Sequence, residues 1–191
     1  WQRVTIEGAA NHAGTTPTAL RHDAGLAAAK VNVFLRQLVE KSGGVATVGC
    51  IEFKPNAINV IPSKAVFTVD LRNPDKEKLD NDEKILAAYL KDLAKEDDVK
   101  ISTERLTEFD PVPFDEGIVE KVEKAAKAHG LSVRRITSGA GQDAQMIARI
   151  CPTAMIFVPS VKGISHNPEE YTKDEDVLAG AGVFLDVVMD M

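Results

Sequence analysis

Over residues 2–8, Val4 and Ile6 alternate with Arg3, Thr5 and Glu7, a period of two that predicts a strand with one face on a core. From 22 to 41 the period lengthens. Ala24, Ala28, Val31, Leu35 and Leu38 recur at spacings of three and four, the stripe of an amphipathic helix, and Gly43-Gly44 breaks it. Two further strands are predicted over 45–54 and 64–72. In the second of these strands Ala65, Phe67, Val69 and Leu71 share one face, and Asp70 and Arg72 the other. After a turn at Pro74, Leu79, Leu86, Leu90 and Leu93 form a second helical stripe, and a last strand is predicted near 99–106. The order strand-helix-strand-strand-helix-strand is the split βαβ pattern of a ferredoxin-like sandwich, one antiparallel sheet with both helices on one face. It predicts a complete α+β domain over residues 1–110, with EFDPVPF as the linker beyond it.

Residues 111–191 follow a different grammar. A helix is predicted from about 115 to 129, closed by Gly130, then a short strand around Val133, the glycine-rich loop SGAG, and a helix running to Ile150. The unbroken apolar run TAMIFV predicts a strand buried on both faces, as in a parallel sheet. Thr172 and Glu175 are spaced for a capping box on a final helix bearing Val177, Ala181, Phe184, Leu185 and Val188. About two strands and three helices are too few to close the covered sheet that this composition implies, so the second region reads as part of an α/β domain.

Composition narrows the functional classes. The net charge of -6 arises from 29 acidic and 23 basic residues spread along the chain, without a basic block, which argues against a nucleic-acid partner. The longest apolar run is too short to cross a bilayer and the first residues do not resemble a secretory signal, so a cytoplasmic location with no membrane partner is expected. Cys50 and Cys151 lack CxxC spacing and are expected to be buried thiols acting as small apolar residues.

Of the four histidines, His22 near a helix start and His129 in a last helical turn have structural explanations. His12 lies in AANHAGTTP, a loop between strand and helix, where an imidazole either bonds to backbone or takes part in chemistry. Asn59 in PNAINVIP is open to an Asx-type turn or to ligand binding. Arg72 sits on the sheet face away from the apolar stripe, where its planar fork suits a carboxylate, substrate or protein. His166 in SHNPEE follows the apolar run by a short loop, a position where open sheets present ligands, although one histidine is a weak metal signal. Gly139 and Gly141 in SGAGQDA are compatible with backbone N–H groups that receive an anion or a polarised carbonyl, or with a plain tight turn.

Taken in order, AANHAGTTP, PNAINVIP, FTVDLR, SGAGQDA and SHNPEE resemble the dinuclear-zinc amidohydrolase/peptidase superfamily, hydantoinase/carbamoylase type. That group includes N-carbamoyl-L-amino-acid hydrolases, allantoate amidohydrolases and β-ureidopropionases. The resemblance implies that residues 1–110 are a ferredoxin-like lid and dimerisation domain, and that 111–191 are the C-terminal part of a zinc-peptidase-like α/β catalytic domain. It implies His166 as a metal ligand and His12 as the lid histidine that stabilises the polarised carbonyl, often in the partner subunit's site. Asn59, Arg72, Gly139 and Gly141 become substrate-binding, with Arg72 on the substrate carboxylate. Gln142 departs from the histidine that many relatives carry in SGAGHDA.

The implied activity is hydrolysis of a C–N bond in small amide or ureido substrates such as N-carbamoyl amino acids. The implied assembly is a homodimer formed through the lid. The implied cofactors are two divalent metal ions, zinc or manganese, in the whole enzyme. The family's general base and most of its metal ligands have no counterpart in this sequence, so the chain by itself is expected to be inactive and need not hold metal. The alternatives are a peptidase or aminoacylase of the same superfamily, or a non-catalytic dimerisation module.

Overall fold

In the computed structural model, which describes residues 1–190, the chain divides into two units, residues 1–111 and 112 onward. In the first, Val4 and Ile6 are fully buried along β1 (Gln2–Glu7), as their alternation predicts. A two-residue strand, β2 (Asn11–His12), precedes α1 (Ala24–Ser42). Asp23 caps that helix by accepting from the Gly25 and Leu26 N–H groups, and Gly43 ends it in the left-handed region at φ 80°.

The expected strand 45–54 is two strands, β3 (Val45–Thr47) and β4 (Ile51–Lys54), both paired with β6 (Lys64–Arg72). The registers explain the break. Thr47 faces Asp70 and Ile51 faces Phe67, so residues 48–50 stand opposite only 68 and 69: one extra residue, a β-bulge. A short β5 (Val60–Ile61) pairs with β2, and α2 (Lys76–Glu96) leads to β7 (Lys100–Arg105). The sheet order is β3-β6-β1-β7 with every pairing antiparallel. Val31 and Leu35 of α1, Leu86, Leu90 and Leu93 of α2, and Phe67 and Val69 of β6 share one core, so both helices cover the same face. Asp82 on α2 is 1% exposed, and neither carboxylate oxygen has a hydrogen-bond partner among the described residues.

The second unit contains α3 (Glu116–Ala128), α4 (Asp143–Ile147) and α5 (Asp174–Met189). Asp115 caps α3 through the Ile118 N–H at 2.9 Å. His129 closes it, with Nε2 2.8 Å from Asp186 on α5.

Several expectations fail in this unit. Neither the segment around Val133 nor TAMIFV forms a strand among the described residues. Nor is TAMIFV buried on both faces, with Phe157 47% and Val158 38% exposed; a strand exists only where a neighbour meets its N–H and C=O groups. The helix expected to reach Ile150 ends at Ile147. The Thr172/Glu175 capping box is absent: α5 starts after Lys173, with no side-chain cap among the described residues.

The buried face of α5 also differs from the expected stripe. Val183 and Val187 are buried while Val177, Phe184, Leu185 and Val188 are exposed. The reason is the contact with α3. Gly182, Asp186 and Asp190 meet His129 and Lys121, which turns the 183/187 row inward. Cys50 and Cys151 are both exposed, correcting the buried-thiol expectation; Cys50 lies on the bulge and Cys151 follows the end of α4.

Candidate functional site

The candidate residues fall into separate places. His12 and Asn59 come together where β2 pairs with β5. His12 stands opposite Val60, and the Asn59 carbonyl accepts the Ala13 N–H at 2.9 Å. The His12 ring is exposed, yet its orientation is set: Nδ1 accepts the Gly14 N–H at 3.0 Å. An accepting Nδ1 places the ring proton on Nε2, which becomes a donor directed away from the loop.

The loop behind the ring is braced by residues that the sequence did not single out. Thr16 Oγ1 donates to the His12 carbonyl at 2.7 Å, and the Arg21 guanidinium donates to the carbonyls of Thr16 and Ala13 at 3.0 and 2.7 Å. The only signal in the sequence was their presence between the motif and the helix start.

Arg72 lies elsewhere. β6 runs from Lys64, beside the β2–β5 pair, to Arg72. Eight steps of roughly 3.3 Å put about 26 Å of strand between those ends. Arg72 pairs side-on with Asp70, Nε to Oδ1 at 2.8 Å and Nη2 to Oδ2 at 2.5 Å. Its guanidinium carbon sits 5.9 Å from the centroid of the Trp1 ring. The two charged side chains share a face because they are two residues apart on one strand. The Arg72 hydrogen bond is the chief reason the Asp70 carboxyl is held below the usual carboxylate range, and Asp70 in turn raises the guanidinium. A cavity of about 460 Å³ in this unit, lined by Gln2, Glu83, Leu90, Lys91, Thr103 and Arg105, includes none of the candidate residues.

In the second unit, His166 is exposed in a turn at φ 56°, its N–H donated to the Glu170 carboxylate at 2.8 Å. Gly139 and Gly141 are exposed in a turn where Ser138 Oγ accepts the Ala140 N–H at 3.3 Å, and α4 begins only at Asp143. Among the described residues no three His, Cys, Asp or Glu side chains come together as a metal-binding group. One exposed imidazole is not a dinuclear centre, so these residues alone do not fit one. Nor is any helix among the described residues long and apolar enough to cross a membrane.

The model of peptidase family M20/M25/M40 matches residues 5–190, and the chain belongs to that family, whose members are generally dinuclear metal enzymes. Within it the likeness runs to amidohydrolases of the hydantoinase/carbamoylase type. An N-carbamoyl-L-amino-acid amidohydrolase of Rhizobium meliloti is 40% identical over all of this chain and 46% of its own length. An allantoate amidohydrolase of Escherichia coli is 37% identical over 93% of this chain and 44% of its own. A solved hydantoinase/carbamoylase-family amidase from Burkholderia multivorans superposes with a TM-score of 0.94 at 38% identity, covering 100% of this chain and 47% of that one. The chain thus spans about half the length of the curated relatives it matches.

Proposed function

We propose that the protein is an amidohydrolase that cleaves a C–N bond of N-carbamoyl or ureido amino acids. The observation that carries this reading is His12, an exposed imidazole whose Nδ1 is occupied by the Gly14 N–H, so that Nε2–H is the donor. Such a donor suits an amide or ureido oxygen that becomes negative as water attacks the carbon, because a preformed hydrogen bond strengthens as charge develops. Asn59, whose backbone carbonyl accepts the Ala13 N–H, is assigned to the same substrate by its side-chain amide. Arg72, paired side-on with Asp70 on the open sheet face, is the cation assigned to the substrate carboxylate. Relatives 40% and 37% identical to this chain are amidohydrolases of N-carbamoyl-L-amino acids and of allantoate.

In this reading residues 1–110 are a ferredoxin-like lid through which two copies pair, and 111–191 are part of the catalytic domain. His166 is one ligand of a zinc or manganese pair, and Gly139 and Gly141 line the substrate pocket. The general base and most metal ligands come from residues other than those described, which makes the 191-residue chain inactive by itself. The family's peptidase members motivate a second reading, a peptidase or aminoacylase.

The test is turnover of N-carbamoyl, ureido, N-acyl and dipeptide substrates by the full-length enzyme. Preference for the first two supports the proposal. Exclusive cleavage of dipeptides or N-acyl amino acids overturns it.

A further inference from the structure

The residues that aim the His12 ring are tied to one side chain with no role assigned so far. Arg21 donates Nε to the Thr16 carbonyl at 3.0 Å and Nη2 to the Ala13 carbonyl at 2.7 Å. Thr16, 8% exposed, sends both its hydroxyl, at 2.7 Å, and its N–H, at 3.2 Å, to the His12 carbonyl. Ala13 is also bonded to Asn59, and Gly14, between the two gripped carbonyls, makes the bond to Nδ1. A guanidinium suits this task because its donors are fixed in one plane and can hold two carbonyls at once, whereas an ammonium is a single point on a flexible stem.

We propose that Arg21 is the positioning residue for His12. Its clamp on the Ala13 and Thr16 carbonyls keeps the Gly14 N–H on Nδ1, and so keeps the ring in the tautomer that presents Nε2–H. The consequence for turnover rests on the reading of His12 as the group that meets the developing charge; the consequence for the ring does not. Misplacing a preformed donor by about an ångström lowers a rate by roughly 100-fold.

The experiment compares wild type, Arg21→Ala, Arg21→Lys and His12→Gln in the full-length enzyme. It reads kcat, KM, melting temperature and the nitrogen shifts of the His12 ring by NMR. Arg21→Ala is expected to lower kcat about 10- to 100-fold with KM within about twofold, and to remove the hydrogen-bonded signature of Nδ1. Added guanidinium ion should restore part of the lost kcat in Arg21→Ala and none in His12→Gln. If Arg21→Ala does not fold, Arg21→Lys carries the same comparison.

Unchanged His12 nitrogen shifts in the folded Arg21 variant overturn the clamp. So does an unchanged kcat in that variant when His12→Gln is impaired. An unimpaired His12→Gln overturns the reading of His12 instead, and the nitrogen shifts still decide whether Arg21 sets the ring.

Discussion

If His12 and Arg72 both serve one small substrate, they cannot belong to the same copy of the chain. They stand near opposite ends of β6, a strand of nine residues, and about 26 Å of extended chain separates those ends. In an N-carbamoyl amino acid the carboxylate and the scissile carbon are only a few bonds apart. Two copies can bridge the gap, one giving Arg72 and the other His12 with Asn59, as an isologous dimer allows.

The perturbation is to mix a His12→Gln copy with an Arg72→Gln copy. Alone, His12→Gln loses an oxyanion donor and should fall about 100- to 1000-fold in kcat. Arg72→Gln loses a charge-assisted grip worth about 1.5–3 kcal/mol, or roughly 10- to 100-fold in kcat/KM. If the copies pair at random, about half the dimers are mixed, and each mixed dimer has one site with both defects and one with neither. Dissociated and reassociated mixtures should therefore recover about a quarter of wild-type activity, measured at low substrate. Activity equal to the mean of the two single variants, with mixed dimers verified by tagging, would refute the two-copy site.

Three further outcomes follow from individual contacts. Asp23→Ala leaves the Gly25 and Leu26 N–H groups without their cap, and thermal unfolding should report a loss of about 1 kcal/mol. Asp82→Leu removes a buried carboxylate with no partner among the described residues; denaturant titration should show a gain of about 1–3 kcal/mol, and a loss would mean that the carboxylate is used. Because Arg72 lowers the Asp70 carboxyl in the fold, the pair stabilises above the ordinary carboxylate range, and that contribution disappears as pH falls through the lowered folded value. Both side chains are about one-third exposed, which limits the effect to under about 1 kcal/mol, and Asp70→Asn should flatten this part of the acid stability profile.

The first unit was legible because its signals are local and its partners are near. Val4 and Ile6, and Phe67 and Val69, alternate on strands that pair with each other, so pattern and environment agree. The bulge at 48–50 was hidden, since residues 45–54 read as one strand and only the count against 68 and 69 reveals the extra residue. In the second unit TAMIFV was read as a strand from hydrophobicity alone, but no ladder meets it among the described residues. His12, Asn59 and Arg72 could be found as motifs. Their distribution between two ends of a strand could not, nor could the bracing by Arg21, which depends on a turn that brings residues 13 and 16 to one guanidinium.

His12 and Arg72, the two candidate side chains of the first unit, share a design that bears on the proposed substrate recognition. Each is held by its own neighbours before any ligand arrives: His12 by Gly14, and Arg72 by Asp70 two residues away. For His12 the partner is a neutral N–H, so orientation is gained without opposing the charge that the ring must meet. For Arg72 the partner is an anion, which weakens the pull on a substrate carboxylate while fixing a long side chain that would otherwise lose about 2 kcal/mol of rotamer entropy on binding. The balance favours a ligand that matches the held geometry over one that merely carries negative charge. On the proposed reading, Arg72 would discriminate by shape and distance, and the accepted ligand would depend on how far apart Arg72 and His12 are held.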